Sequence, residues 1–258
     1  MSSDGCLLEV RALHHWFGGL HVIDDVGFSC PAGAIKGIIG PNGAGKTTLF
    51  NLVAGSFAPR SGSIRFDGRE LAGLPPHRVA ARGISRTFQA TRLFPRMSVL
   101  ENVMVGMHPR SRHGFLAGLA GPLATGREEA RVRDASRGVL ELLGLGPLAG
   151  RNALDLPFGR QRVVEIARAL ASLPRLLLLD EPACGLNPRE TEEMAELIRG
   201  IRDRGTTVLV VEHDMSLVMG ICDEVLVLGS GRRIAEGTPR EVQADPEVIS
   251  IYLGDDDA

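Results

Sequence analysis

A glycine-rich segment in the first fifth of the chain combines residues that could hold the phosphates of a nucleotide. It reads Gly40-Pro41-Asn42-Gly43-Ala44-Gly45-Lys46-Thr47-Thr48. Loops of this pattern surround phosphates with backbone N–H groups and a helix N-terminus. We expect the ammonium group of Lys46 to reach the β- and γ-phosphates, and the hydroxyl of Thr47 to bind Mg²⁺. The whole segment is therefore a candidate ATP-binding loop.

Two adjacent carboxylates follow an apolar run much further along the chain. Asp180 and Glu181 come directly after the run 176–179. A nucleoside triphosphatase needs a carboxylate for Mg²⁺ at the end of such a strand, and Asp180 meets that requirement. Glu181 would then project toward the γ-phosphate and polarise the attacking water, although a carboxylate there could also simply start a helix. We interpret Glu181 as the general base.

The elements that must position these residues are visible in the apolar pattern. The run 35–39 precedes the glycine-rich segment, and the stretch 46–54 after it has helical spacing, so the loop joins a strand to a helix. The runs 176–179, 207–211 and 225–228 are continuously apolar, as parallel strands are when helices cover both faces. The pattern predicts an α/β fold with a P-loop NTPase core and a parallel sheet.

Two further regions flank this core. Short apolar runs between residues 6 and 30 and between 60 and 90 are separated by turns rich in Gly and Asp, which predicts an antiparallel β subdomain. From about 96 to 173 the periodicity is helical. We predict one domain over 1–258. Its subregions are a nucleotide-binding core with the antiparallel part at 6–95, a helical subdomain at 96–173, and the core continuation with a C-terminal tail at 174–258.

Composition limits the classes of protein. The 29 Lys and Arg nearly balance the 31 Asp and Glu, so nothing indicates a nucleic-acid partner. The four cysteines lack Cys-x-x-Cys spacing and predict neither a zinc site nor a disulfide framework. No run approaches the roughly 18 apolar residues of a membrane span, and we interpret the uncharged stretch 114–126 as a loop with a short helix. We expect a cytosolic chain unless another subunit holds it at a membrane.

Several other segments occur in the order found in ATP-binding cassette (ABC) ATPases, and the chain resembles that family over nearly its whole length. Thr87-Phe88-Gln89 and the histidine after the run 207–211 are two of them. The resemblance implies that Gln89 contacts Mg²⁺ and water, and that His213 contacts the γ-phosphate. It also implies that the ring of Phe17 stacks on adenine, with the neighbouring Trp16 as an alternative.

The segment Leu156–Arg162 matches the signature region of that family only in part. Pro157, Phe158 and Arg160 replace the serine, a glycine and the glutamine of the general Leu-Ser-Gly-Gly-Gln pattern, whereas Gly159 is kept. In the family, this helix N-terminus faces the γ-phosphate held by the opposite subunit. The resemblance therefore implies a head-to-tail dimer in which Gly159 acts in trans. Proline suits a first helical turn, so we expect a site built from backbone N–H groups and Arg160.

Within the family, the chain is similar to the longer of the two ATPase subunits of branched-chain amino acid importers. The segments that carry this similarity are 86–94, 212–219 and Tyr252-Leu253-Gly254. The resemblance implies ATP and Mg²⁺ as cofactors and a second cassette, either a paralogue or an identical copy. It also implies two membrane permeases, an extracytoplasmic substrate-binding protein and a location on the cytoplasmic side of the inner membrane.

Two other functional interpretations of the family resemblance stay open. One is the ATPase of a lipopolysaccharide-type exporter, which differs from this class mainly in its permease partner. The other is a soluble ABC protein that acts on DNA or ribosomes. Proteins of that second kind usually carry two cassettes or a long coiled coil, whereas this chain has one phosphate loop and no sustained heptad pattern.

Overall fold

The computed structural model describes residues 5–87, 92–107 and 122–253. The chain forms two compact units: the first combines Met1–Val79 with Arg175–Ala258, and the second comprises Ala80–Pro174. Gln89, residue 254 and the stretch 114–121 lie outside the described residues. Within the described ranges, no helix is long and apolar enough to cross a membrane.

The smaller sheet of the first unit is antiparallel. Its strands, in the spatial order β2-β1-β4-β5, are β1 (Cys6–Phe17), β2 (Leu20–Pro31), β4 (Ser61–Phe66) and β5 (Arg69–Glu70). Leu8, Val10 and Leu13 of β1 are buried and give this sheet its apolar face. The predicted antiparallel β subdomain is confirmed.

The larger sheet carries the buried core of the first unit. Its strands there, in the order β10-β9-β3-β8-β7, are β3 (Ile35–Ile39), β7 (Leu176–Asp180), β8 (Thr207–Val211), β9 (Glu224–Gly229) and β10 (Arg232–Gly237). Strands β3, β7, β8 and β9 are parallel, and every residue of β3, β7 and β8 is buried. The predicted parallel sheet is confirmed, and β10 adds an antiparallel edge.

Helices flank this sheet in the first unit's part of the sequence. They are α1 (Lys46–Val53), α6 (Pro188–Asp203), α7 (Met215–Ile221), α8 (Pro239–Ala244) and α9 (Pro246–Leu253), whereas α2 (Pro76–Ala81) crosses the sequence boundary between the two units. Local sequence fixes where α6 begins, because the side chain of Asn187 accepts the Glu190 N–H while Glu190 accepts the Asn187 N–H. Pro188 occupies the first helical position, where its missing N–H costs nothing.

The second unit is mainly helical, as predicted. It contains the short strand β6 (Ile84–Arg86) and the helices α3 (Val99–Val105), α4 (Pro122–Leu142) and α5 (Phe158–Leu170). The buried carboxylate of Glu165 in α5 accepts the N–H of Arg92, and Arg168 donates to the Arg92 carbonyl. The proline expected in the first turn of α5 instead precedes that turn: Pro157 is the N-cap, with φ −54° and ψ 149°, and Phe158 is the first helical residue.

Candidate nucleotide site

The parallel strands of the first unit bring three chain segments to one edge of the sheet. Asp180 of β7 and Ile38 of β3 both pair with Val211 of β8, so the three strands end level with one another. The ladder continues by one residue, because the Glu181 N–H donates to the Val211 carbonyl at 2.9 Å. Ligands of open α/β sheets bind beyond such carboxyl ends. The glycine-rich loop, the carboxylate pair and His213 therefore start from the same edge.

The conformation of the loop explains why glycine stands at its two ends. Gly40 and Gly45 have φ angles of 149° and 99°, in a region that side chains disfavour. A Cβ atom on Gly40 would lie 2.1 Å from the carbonyl oxygen of Leu228, and one on Gly45 would lie 2.8 Å from that of Val22. Close packing against β9 and β2 thus fixes the loop between β3 and α1.

Lys46 is the first residue of α1, and its side chain turns back into the loop. The residue is only 8% exposed, and its ammonium group donates to the carbonyl oxygens of Gly40 at 2.6 Å and Pro41 at 2.9 Å. Burial lowers the pKa of Lys46, and the carboxylate of Glu181 opposes that shift. The arrangement places a cation next to the N-terminus of a helix, which suits an anionic ligand.

The two carboxylates after β7 differ in environment. Asp180 is 3% exposed, whereas Glu181 is half-buried. Glu181 has a φ of 48°, the left-handed conformation, which is uncommon for a residue other than glycine. Such backbone strain concentrates at functional sites, where the surrounding structure holds it. Here the Val211 carbonyl accepts the Glu181 N–H, so the strained backbone conformation of Glu181 is held in place.

Glu212 is a buried carboxylate that sequence reasoning missed as part of the site. It is 0% exposed and accepts the N–H groups of Ala183 at 2.7 Å and His213 at 3.1 Å. Burial raises the pKa of Glu212, against the effect of these N–H groups. Glu212 thereby joins the turn after Glu181 to the segment that follows β8. Glu212 directly follows the buried strand β8, much as Asp180 and Glu181 lie at the end of β7. That position could have identified it as a candidate from the sequence.

His213 is an exposed side chain at this edge. Its side chain is 61% exposed, and its Nδ1 atom lies 3.7 Å from Oε2 of Glu212. The imidazole is thus backed by a buried carboxylate while its outer side faces solvent. That is a suitable state for a side chain that is expected to meet a phosphate.

The aromatic candidates lie at the end of β1. Phe17 and Trp16 are 46% and 39% exposed, so both rings present a surface to solvent. Phe17 is supported by two rings that the sequence interpretation did not include, with centroids 4.7 Å away in His15 and 5.4 Å away in Phe57. Trp16 contacts His21 instead, at 5.4 Å. Phe17 therefore belongs to a packed cluster, which would hold its plane.

The remaining predicted residues are distributed as follows. Thr47 and Thr48 lie in the first turn of α1, with Thr47 exposed, and Asn42 and Gly43 are exposed in the loop while Ala44 is buried. Gly159 lies in the second unit, half-buried in the first turn of α5. The hydroxyl of Thr47 and the carboxylate of Asp180 are hard oxygen donors of the kind that Mg²⁺ prefers, so the residues present fit that ion.

Fold and site together define the class of P-loop nucleoside triphosphatases. Comparison with known proteins adds the family. The ABC transporter family model matches residues 23–184, and the model of the branched-chain amino acid ATP-binding cassette transporter matches residues 232–258. The chain belongs to the ABC transporter family, and it is an ATP-binding and ATP-hydrolysing cassette of that family.

Individual relatives agree with this assignment. The high-affinity branched-chain amino acid transport ATP-binding protein BraF of Pseudomonas aeruginosa is 44% identical, over 96% of this chain and 98% of BraF. The lipopolysaccharide export system ATP-binding protein LptB of Escherichia coli is 34% identical, over 96% of this chain and 98% of LptB. The crystal structure of a nucleotide-free cassette from an ABC transporter superimposes with a TM-score of 0.84 at 31% identity, covering 96% of this chain and 98% of the other.

Proposed function

We propose that this chain is an ATPase subunit of a membrane importer for branched-chain amino acids. The observation that carries the proposal is the match of residues 232–258 to the C-terminal model of branched-chain amino acid cassettes. The identity of 44% to BraF against 34% to LptB favours the importer over a lipopolysaccharide-type exporter. The soluble alternative has no comparable support, since both relatives are named as transport or export proteins.

The partners follow from this proposal. The chain would work with a second cassette, either a paralogue or an identical copy, and with two membrane permease subunits. An extracytoplasmic substrate-binding protein would deliver the amino acid without touching the cassettes. The chain would then lie on the cytoplasmic side of the inner membrane, held there by the permeases.

In the proposed site, the phosphates of ATP lie in the loop 40–48, with the ammonium group of Lys46 on the β- and γ-phosphates. Thr47, Asp180 and Gln89 would hold Mg²⁺, which neutralises phosphate charge when bound. Glu181 takes a proton from the attacking water, and the exposed imidazole of His213 contacts the γ-phosphate. The strained backbone of Glu181 supports its role, because it aims the carboxylate from a fixed point.

Adenine would stack on the ring of Phe17. The cluster with His15 and Phe57 supports this choice over Trp16, because a ring already held in place loses less conformational freedom when a ligand stacks on it. Gly159 would complete the site of a second cassette in trans, through the N–H groups at the start of α5. An isolated chain should therefore be mostly monomeric and hydrolyse ATP slowly.

Reconstitution tests the proposal directly. The chain is placed in proteoliposomes with a paralogous cassette, two permeases and a binding protein, and the ATPase rate is measured against the concentration of leucine, isoleucine or valine. We expect the rate to rise with the amino acid, because substrate arrival is coupled to cassette closure. The matched control is the same assembly with the Glu181→Gln chain, in which this site should stay slow.

Different results of this experiment test the importer role of the chain and the general-base role of Glu181. Stimulation by a lipid or by ribosomes, with no response to any amino acid, would overturn the importer proposal and leave the ATPase assignment intact. A rate unchanged by Glu181→Gln in an otherwise responsive assembly would instead remove the general-base role from Glu181.

A further inference from the structure

A cluster of potential metal ligands lies on the hairpin of β1 and β2, outside the residues used for ATP. His14 and His21 present Nδ1 atoms at 3.3 and 3.7 Å from the same oxygen, Oδ1 of Asp24. One ligand atom from each of the three residues lies within 4.8 Å of the others. Two imidazoles and a carboxylate form a donor set that zinc and similar ions use, whereas Mg²⁺ prefers oxygen alone.

The spacing of these donors matches tetrahedral coordination. With bonds of about 2.1 Å at tetrahedral angles, ligand atoms lie about 3.4 Å apart. The two distances to Asp24 are already within a few tenths of an ångström of that value. Small rotations of the partly exposed His14 and exposed His21 side chains would bring the remaining pair into range.

Irregular strand pairing brings the three residues to one face. His15 pairs with Ile23 and Trp16 with His21, so Val22 is an extra residue in β2. Side chains alternate along a regular strand, so His21 and Asp24, three positions apart, would otherwise point to opposite faces. Bulges re-aim side chains in this way and are often found near functional sites.

The neighbours of the cluster provide the support that metal ligands usually have. The guanidinium of Arg232 donates to Oδ2 of Asp24 at 2.6 Å, which orients the carboxylate with Oδ1 toward the imidazoles. The Nε2 atom of His14 lies 4.0 Å from Oδ1 of Asp25, beyond hydrogen-bond distance but close enough for the carboxylate to favour a bound cation electrostatically. The Nδ1 atom of His14 now accepts the N–H of Asp25 at 3.2 Å, a long hydrogen bond that an ion would replace.

We propose that His14, His21 and Asp24 form a binding site for a divalent transition-metal ion such as Zn²⁺, Co²⁺ or Ni²⁺, with water as the fourth ligand. The site is separate from the Mg²⁺ site of ATP hydrolysis. It nevertheless borders the phosphate loop, because the carbonyl of the bulge residue Val22 packs against Gly45. Binding must therefore be measured without nucleotide and without Mg²⁺.

Cobalt is the probe, because its visible absorption reports coordination. Untagged full-length protein is titrated with Co²⁺, and Zn²⁺ is then added to displace it. We expect one ion per chain. The affinity for Co²⁺ should fall at least about tenfold in His14→Ala and in His21→Ala, because removing even a residue that only orients a metal ligand costs about that much. The matched control is His77→Ala, which removes an exposed histidine elsewhere in the first unit and should leave the affinity unchanged.

A second measurement does not depend on variants. In the wild-type chain, substoichiometric Ni²⁺ should broaden the ring proton resonances of His14 and His21 before those of other histidines. Equal affinity of the wild type and the His14→Ala/His21→Ala double variant would overturn the proposal. So would Ni²⁺ broadening that begins at other histidines, including His108 and His113, and spares this pair.

Discussion

The starts of α1 and α5 are the two helix N-termini expected to face phosphate, and they differ in how complete they are. Among the described residues, neither has a side-chain cap, whereas α3, α6, α7 and α8 are capped by Ser98, Asn187, Asp214 and Thr238. Their first N–H groups are thus left for another partner. At α1, buried Lys46 and the loop enclose the position. At α5, Pro157, Phe158 and Arg160 are exposed.

The phosphate loop is therefore complete within one chain, whereas the N-terminus of the signature helix α5 is open to solvent. An enclosed site holds its ligand through fixed charges and dipoles, so single changes there should have large effects. The open N-terminus of α5 meets phosphate only when a second chain is present. In the isolated chain, a substitution there should therefore change mainly the stability of the helix.

Lys46→Ala should have the largest effect. It removes the cation at the loop, and hydrogen bonds to charged groups are worth about 1.5–3 kcal/mol each, so ATP affinity should fall by about 10- to 150-fold or more. Hydrolysis in the assembled transporter should fall below detection. Nucleotide binding is measured by calorimetry, with Arg189→Ala as the control, since that side chain is 88% exposed in α6. Normal affinity in Lys46→Ala would refute the enclosed-site description.

Glu181→Gln should separate binding from hydrolysis. Because a general base contributes roughly 100- to 10,000-fold to rate, hydrolysis should fall by that factor while ATP affinity stays near normal. The variant should then trap ATP in a dimer with a second cassette, and size measurements with ATP and Mg²⁺ would detect it. A variant that loses nucleotide affinity yet hydrolyses as fast as the wild type would require the roles of Asp180 and Glu181 to be reassigned.

The sequence predicted the features that local pattern determines. The strand before the loop, the run ending at Asp180 and the helices of the second unit appear as expected, because burial on both faces and helical periodicity leave direct traces in the chain. Features that depend on distant pairing were missed. The carbonyl of Val22, which lies in a bulge between β1 and β2, packs against Gly45, and the ring of Phe57 reaches Phe17 from another part of the sequence.

Glu212 was missed for a related reason. A single carboxylate after an apolar run does not reveal that its oxygens will accept N–H groups from a turn 29 positions away in sequence. The one-residue error at Pro157 is local, since proline fits sterically both at the N-cap and in the first turn. The functional roles of the site residues remain predictions, which the variants described here test.

Glu212→Gln should have a moderate effect on stability that depends on pH. The amide oxygen can still accept the Ala183 N–H, but the amide nitrogen cannot accept the His213 N–H, so about 1–3 kcal/mol should be lost. Burial raises the pKa of Glu212 above its ordinary value of 4.5. The folded state then binds more protons between 4.5 and the raised pKa, so this group's contribution to stability decreases as pH rises through that window.

The measurement is the free energy of unfolding by urea for both proteins across that pH range. The advantage of the wild type over Glu212→Gln should be largest on the acidic side and shrink as pH rises. An advantage that grows with pH would mean that the ionised carboxylate is better stabilised in the fold than its burial suggests.

The smallest effect is expected at the open end, for Pro157→Ser. Serine restores a hydroxyl at the N-cap of α5, where it can accept an N–H of the first turn and stabilise the helix by about 0.5–2 kcal/mol. The matched control is Pro157→Ala. Both substitutions remove the restriction that proline places on the unfolded chain, so the difference in stability between the serine and alanine variants reports the hydroxyl alone. Urea unfolding of the isolated chain should give that difference.

If the start of α5 already binds phosphate through its backbone N–H groups, the ATPase rate of the assembled transporter should differ little between the Pro157→Ser and Pro157→Ala variants. A large gain for serine alone would show instead that the signature helix of this chain lacks a side-chain phosphate contact that it can use.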